Sequence, residues 1–596
     1  MQVYNAPLRD MRFVLNELHI DDGFGDLPDF EEVTPDLTEA VLEEAAKVCR
    51  DVLLPLNRLG DEEGLRVENG SVRTPAGFAD AQKLLGEGGW TSLAVSPEWG
   101  GQGLPHAVNN LVEEMLCSTN VAYSLCPGLT HGAAKAIEGY ATRDLQERYL
   151  PGMVSGKWSG TMCLTEAQCG TDLGLLRTAA LPVEDGSYRV SGSKIFITWG
   201  DHDLTENIIH LVLARLPDAP AGVKGISLFL VPKFLLKEDG TPGEFNNVLV
   251  RHVEHKMGIM VSPTCQLDFD KSVGWMVGEP HRGLEAMFKM MNVARVGVGL
   301  QGLGIGEAAY QSAAWYAKDR VQGRSVAGVK RPDLPADPII VHPDVRRMLM
   351  IMRANNEGCR ALSAWISRAI DAESHAADPA VRERAGDFVA LMTPVVKALF
   401  TDLGFETANH AVQVYGGHGY IRESGVEQFV RDARIAMLYE GTNGIQALDL
   451  VGRKLPAHGG RYLRSLFHPI SAFIEANGGE GPLKPLVTAL QQAFGALQLA
   501  TGLIAERGLK DREEGSAAAT DYLRLMGLVA MGFCFAKAAK IAVAKVAEGG
   551  EDSAFYATKL KTATFYFERV LPQATACFLA IKAGKASMMA FDEGEF

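Results

Sequence analysis

A carboxylate that takes a proton from carbon needs small neighbours and backbone donors beside it. Residues 437–446 read Met-Leu-Tyr-Glu-Gly-Thr-Asn-Gly-Ile-Gln and supply one such carboxylate, Glu440, between an aromatic and a glycine at the end of a helical pattern. Gly441 lets a ligand approach the backbone and leaves the Glu440 and Gly441 amides for use as donors. A base next to backbone donors suits removal of a carbon-bound proton, because the donors can stabilise the charge that develops. Taken alone, Glu-Gly-Thr reads more simply as a helix ending at a glycine with an exposed Glu. Three further segments decide between these readings.

The first is Thr161-Met-Cys-Leu-Thr-Glu-Ala-Gln-Cys-Gly-Thr-Asp172, an apolar run that opens into a loop of small and hydroxyl residues. Such a loop offers backbone amides and the Thr165 hydroxyl to a ring or a phosphate. The second is Gly192-Ser-Lys-Ile-Phe-Ile-Thr-Trp-Gly200, a predicted strand whose pleat puts Phe196 and Thr198 on one face. The third, Gln413-Val-Tyr-Gly-Gly-His-Gly-Tyr420, is glycine-rich and is followed by Arg431-Asp432 and then Glu440.

The elements that position these residues follow from spacing. Apolar residues at helical intervals (Val41, Leu42, Ala45, Ala46, Val48, then Asn109 to Leu116 and Leu145 to Tyr149) predict helices over roughly 36–160. Short apolar or alternating runs follow at 195–198, 208–213, 226–231 and 266–269, parted by Gly, Asp and Pro turns. They predict a small sheet or barrel. Helical spacing returns from Gly283 to about 450. After a break at residues 455–460 it resumes with Tyr522, Leu525, Met526, Val529 and Phe533. Helices, then strands, then helices imply an α+β, mainly α, multidomain chain with segments 1–40, 41–160, 161–280, 281–452 and 453–596. Gly302, Gly304 and Gly306 sit inside a helical pattern with no strand before them. That argues against a dinucleotide-binding glycine fingerprint.

With 596 residues the chain can bury large cores, and 47% apolar with 22% charged residues is ordinary globular composition. The net charge of -15 argues against nucleic acid as the main partner. Met1 to Ile20 holds Arg9, Asp10, Arg12 and Glu17 and lacks an uninterrupted apolar core, so no secretory leader is expected. No run of 18 apolar residues is found, so no membrane span is expected either. Nine scattered cysteines without a Cys-x-x-Cys favour reduced thiols and a cytoplasmic location over disulfides or a metal site.

In this order and spacing, the four segments resemble the acyl-CoA dehydrogenase flavoprotein family over roughly residues 40–450. The N-terminal Tyr4-Asn-Ala-Pro-Leu-Arg-Asp-Met-Arg12 and the long C-terminal segment resemble a long subgroup with an extra helical domain. That subgroup includes dehydrogenases of fatty acyl-CoAs and of 3-methylmercaptopropanoyl-CoA. The resemblance implies a helical domain, a middle β domain, a four-helix domain and an additional helical domain. It implies FAD as cofactor, an acyl-CoA substrate, electron-transfer flavoprotein as acceptor, and a homodimer or homotetramer.

Residue by residue, Met162, Leu164 and Thr165 match the loop along the flavin ring, and Phe196 and Thr198 match the flavin-packing aromatic and hydroxyl. Arg320 matches an arginine that reaches the FAD phosphates of a neighbouring subunit, although Gln322-Gly323 replaces the usual Phe-Gly after it. Gln413, Gly416 and Gly417 match contacts to the adenosine side, and Thr442 and Asn443 match the next flavin positions. Gly444 stands where glutamine is frequent. On the substrate side are Thr171, usually a serine, Arg295, Gly441, and Asn292, where many members have an acid. Some members carry the base immediately before the matching arginine. Here that position is Ala294, so Glu440 is the base the pattern supplies. Its backbone amide and a flavin ribityl hydroxyl would bond the thioester oxygen. The readings that remain beside a dehydrogenase are an acyl-CoA oxidase using oxygen and an inactive acyl-binding scaffold.

Overall fold

The computed structural model describes residues 2–18, 23–25 and 27–596, so part of the Met1–Ile20 stretch lies outside the described residues. Contacts divide the chain into two units that cut across the sequence segments. One comprises Lys47–Pro105 and Thr119–Gly297, the other Met1–Ala46, His106–Ser118 and Val298–Phe596.

The first unit is built around a seven-stranded sheet. Strand Thr264–Val277 pairs with Tyr188–Thr198, which pairs with Ala179–Pro182. Ala179–Pro182 meets Asn207–Arg215, which pairs with Ile226–Pro232, and that strand returns to Thr264–Val277. The ring closes, so this sheet is a small barrel. Strand Val248–Val253 is added antiparallel on Thr264–Val277, and Trp158–Cys163 parallel on Asn207–Arg215. Closure explains the apolar runs. Ile197, Val212, Phe229, Val231, Cys265 and Leu267 form one buried cluster, while Ile209, Leu211, Leu213, Leu228 and Leu230, from alternate positions, join a second cluster with the helical residues Ile137, Tyr149 and Met153. Helix Arg143–Val154 leads into the first strand.

The second unit is helical. Its long members include Pro343–His375, Pro379–Tyr415, Lys484–Lys510 and Arg512–Glu548. The glycine series of the sequence lies in helix Gly283–Asp319. A Cβ at Gly302 would stand 2.3 Å from the Phe400 carbonyl oxygen, and one at Gly404 would stand 2.3 Å from that of Gly302. These glycines therefore serve close helix contact. A buried ion network joins distant parts of the unit. Arg360 pairs with Asp10, Glu114 and Glu307, and Lys559 pairs with Asp10 and Glu357. Residues of the C-terminal segment thus share carboxylates with the N-terminal segment and the bundle.

Two helices, Pro379–Tyr420 and Arg512–Glu548, have the length and mean hydropathy to cross a membrane. Each apolar window is 78% buried within the protein, which marks these as core helices. All nine cysteines are buried free thiols.

Candidate active site

The sequence-predicted residues fall on both units. Met162, Leu164, Thr165, Thr171, Phe196, Thr198, Asn292 and Arg295 belong to the barrel unit. Arg320, Gln413, Gly416, Gly417, Glu440, Gly441, Thr442 and Asn443 belong to the helical unit.

In the barrel unit, the regular pleat expected at Phe196 is broken. Leu267 pairs with Lys194 but Cys265 with Ile197, so Ile195 and Phe196 form a bulge. Phe196 has φ +58°, unusual for a bulky residue, and the residue is 58% exposed. Ile197 points into the barrel core, and Phe196 and half-buried Thr198 lie on the outer side. The neighbouring loop follows strand Trp158–Cys163 and is joined to the bulged strand by a bond from Ile195 N–H to the Thr165 carbonyl, 2.9 Å. Met162 and Leu164 pack partly buried on the apolar cluster beneath. The half-buried hydroxyls of Thr165 and Thr198 bond no protein group among the described residues. Thr171 and Asn292 are exposed, and Arg295 is buried.

Two residues without an assigned role fix this loop. Lys194, fully buried, donates to the Leu164 carbonyl at 3.0 Å and to Glu166 Oε1 at 2.9 Å. Glu166 also accepts from the Arg177 and Thr178 amides and the Thr178 hydroxyl. Burial works against its ionisation, but Lys194 and these donors outweigh that and hold the carboxyl down at about 2.

In the helical unit, Glu440 lies in the turn between the one-turn helix Ile435–Met437 and helix Asn443–Asp449. It is half-buried, with φ +57°, and Gly441 follows at φ +81°. A non-glycine residue in this region stores strain, which surrounding bonds must hold. Gln446 Nε2 donates to the Glu440 carbonyl at 3.0 Å and the Gly441 carbonyl at 3.2 Å. The ammonium of Lys397 donates to the same Gly441 carbonyl at 3.0 Å. Carbonyl and N–H of a trans peptide point in opposite directions. The Gly441 and Thr442 N–H groups therefore face away from these inward carbonyls, and they bond nothing among the described residues.

Thr442 caps the next helix by accepting from the Ile445 amide at 3.3 Å. The Asn443 side chain is committed to the protein: its oxygen accepts from Lys397 at 2.8 Å and its nitrogen donates to Asp402 at 2.7 Å. It anchors the turn to the preceding helix. Behind the base, Tyr439 donates to Gln301. Burial, reinforced by the Glu440 charge, keeps that phenol protonated.

A second group lies at the end of helix Pro379–Tyr415. Gly416 has φ +60°, and a side chain added at it or at Gly417 would meet nothing within 4 Å. Tyr415 stacks on Tyr316 at 4.0 Å, and the Tyr316 hydroxyl bonds His418 Nδ1 at 2.9 Å. Arg320, one turn beyond Tyr316, is exposed and makes no ion pair among the described residues. Gln413 is exposed on the same helix end. Tyr415 lies eighteen positions beyond Lys397 on this helix, or about 27 Å at 1.5 Å per residue.

Family models match nearly the whole chain. They are those of the acyl-CoA dehydrogenase N-terminal domain at 36–157, middle domain at 161–272 and C-terminal domain at 281–455, and of an acetyl-CoA dehydrogenase C-terminal-like domain at 466–592. The 3-methylmercaptopropionyl-CoA dehydrogenase of Ruegeria pomeroyi is 41% identical over 574 residues, spanning 96% of this chain and 97% of that protein. The broad-specificity linear acyl-CoA dehydrogenase FadE5 of Mycobacterium tuberculosis is 34% identical over the full length of both chains. Among solved structures, Caenorhabditis elegans ACDH-11 in complex with C11-CoA superposes with a TM-score of 0.79 at 18% identity, covering 96% of this chain and 92% of that one. A Bacillus anthracis acyl-CoA dehydrogenase complexed with FAD gives 0.74 at 19% identity, covering 100% and 93%. These two likenesses concern the fold, and it is the family models and the full-length relatives that decide kinship: the chain belongs to the acyl-CoA dehydrogenase family.

Proposed function

We propose that this protein is an FAD-dependent acyl-CoA dehydrogenase that converts an acyl-CoA thioester to its trans-2-enoyl-CoA. The observation that carries the reading is the 440–442 turn, where a strained carboxylate-bearing residue stands beside N–H groups turned outward by inward-bonded carbonyls. Its residues also fit a flavin. Phe196 is an exposed ring beside the half-buried hydroxyls of Thr165 and Thr198, and Gly416, Gly417 and Arg320 form a bare backbone and free cation suited to phosphates. When bound, FAD supplies the acceptor for the β-hydrogen as hydride.

The protein's own part is the proton. Glu440 takes it from the α-carbon on its carboxylate, and backbone N–H groups of the turn meet the negative charge that spreads onto the thioester oxygen. Each such donor contributes a rate factor of about 10²–10³. Arg295, Asn292 and Thr171 serve the substrate side. The turn and the Gly416 group are about 27 Å apart along one helix, so one chain does not offer both to the same end of a cofactor. This supports an active homodimer or homotetramer with FAD at a subunit boundary. Electrons pass to electron-transfer flavoprotein, in the cytoplasm.

The test is a panel of thioesters headed by 3-methylmercaptopropionyl-CoA, the substrate in the name of the 41%-identical relative, with short and long straight chains beside it. Each is assayed with a ferrocenium dye and, separately, with oxygen. Rapid dye reduction by a yellow protein is expected. Stoichiometric peroxide at a comparable rate in air would make it an oxidase, and a colourless acyl-CoA binder without turnover would make it a scaffold. Arg320→Ala should lose FAD on dilution, and a fully active wild-type monomer in sedimentation would refute the shared site.

A further inference from the structure

We infer that Lys397 is a positioning residue for the dehydrogenation: together with Gln446 it turns the carbonyls of the Glu440–Gly441 turn inward and so aims the base and the outward N–H groups. The inference rests on the reading of Glu440 as the base.

Lys397 lies in the middle of helix Pro379–Tyr415 and is 0% exposed. Burying an ammonium is costly, and an apolar side chain would fill the same helix face without that cost. Its head reaches the turn, at 3.0 Å from the Gly441 carbonyl and 2.8 Å from Asn443 Oδ1. Asn443 passes the link on to Asp402 at 2.7 Å and to the Ala398 carbonyl at 3.2 Å, on the helix that carries Lys397. The turn is therefore clamped to one helix by two side chains.

The clamp acts where the backbone is strained. With φ positive at both Glu440 and Gly441, the turn would relax toward commoner conformations if its inward carbonyls were released. Release would rotate the peptide planes, and both the Glu440 side chain and the Gly441 and Thr442 N–H groups would move with them. Misplacement of a reacting group by about 1 Å costs roughly 10²-fold in rate. Gln446 holds the same two carbonyls from the following helix, so the two side chains should fail alike. Lys397 touches neither substrate nor reacting atoms in this account; it acts through the turn.

The experiment compares Lys397→Met, Lys397→Gln, Gln446→Leu and Glu440→Gln as FAD-loaded full-length enzymes. Lys397→Met should lower kcat about 10²-fold while acyl-CoA affinity, measured by equilibrium titration, stays within about threefold. Lys397→Gln, which keeps a donor, should recover part of the loss. Amide exchange should accelerate in the peptide covering 438–446 and stay unchanged in 525–531. A core role alone would instead lower stability and speed exchange broadly, with kcat per FAD-loaded molecule unchanged, and that result overturns the inference. If Lys397→Met does not fold, Gln446→Leu decides, since a kcat near wild type there contradicts the clamp. An active Glu440→Gln would sink the base assignment itself, whereas an inactive Glu440→Gln beside a fully active Lys397→Met would sink this inference alone.

Discussion

Each of the two units holds one group of candidate residues in place with a fully buried lysine, but by different means. In the barrel unit Lys194 is neutralised by Glu166, and the pair locks the Leu164 carbonyl and the Arg177 and Thr178 amides together. In the helical unit Lys397 donates to a carbonyl and an amide oxygen of the turn, and it restrains a turn in which Glu440 is strained. A charge pair with many backbone bonds builds a rigid platform, and its loss should show first in stability. A clamp on a strained turn builds a poised group, and its loss should show first in rate.

The largest effect on this contrast should come from breaking the platform. Glu166→Ala or Lys194→Met leaves a buried charge without its partner and should cost about 3–5 kcal/mol in unfolding. Denaturant unfolding followed by barrel tryptophans such as Trp158 and Trp199 would read it. A loss under about 1 kcal/mol would place the pair among ordinary contacts. Phe196→Ala should do less and differently. The residue is 58% exposed, so stability should stay within about 0.5 kcal/mol. FAD, however, should bind roughly 3- to 10-fold more weakly if the ring is a stacking surface. Unchanged FAD affinity would remove Phe196 from the cofactor site.

The smallest effects are in pH, where two buried carboxylates, one in each unit, should differ in sign. Glu166 is held down at about 2 against its ordinary 4.5. Its stabilisation is therefore complete above about 4.5 and is lost as pH falls toward 2. Asp371 accepts from the His106 and Ala107 amides in the helical unit, yet burial outweighs those bonds and pushes it up to about 7. The folded state then favours its protonated form, so this contribution weakens as pH rises from the ordinary 3.8 toward 7. Asp371→Asn should reduce the fall between about pH 4 and 7 without touching the acid limb, and half-buried Glu113 and buried Glu114, also pushed up to about 7, account for the rest of it. Thermal unfolding between about pH 3 and 8 would show both limbs, and a fall toward neutral pH unchanged in Asp371→Asn would remove Asp371 as a contributor.

Much of the architecture was legible in local pattern. The four apolar runs lie within strands Tyr188–Thr198, Asn207–Arg215, Ile226–Pro232 and Thr264–Val277, because a buried strand announces itself in a few neighbouring residues. Barrel closure was left open, since it depends on which strands meet. The bulge at Phe196 and the left-handed backbone of Glu440 have no signature in residue type, because neither is glycine. The anchors were hidden for a related reason. Lys194 meets Glu166 from 28 residues away and Lys397 meets Gly441 from 44, and a lysine read in sequence suggests a solvated surface. The bonds of Asn443 to Lys397 and Asp402 were hidden too, because they come from a helix some 40 residues earlier.

The central claim is that the poised group of the helical unit is the base. Its most direct test is Glu440→Gln in the FAD-loaded enzyme, mixed rapidly with the best acyl-CoA of the panel while flavin absorbance is followed. Thioester binding should persist and flavin reduction should slow by about 10²–10⁴-fold, the usual cost of losing a general base. A variant that keeps more than about a tenth of wild-type kcat would contradict the account.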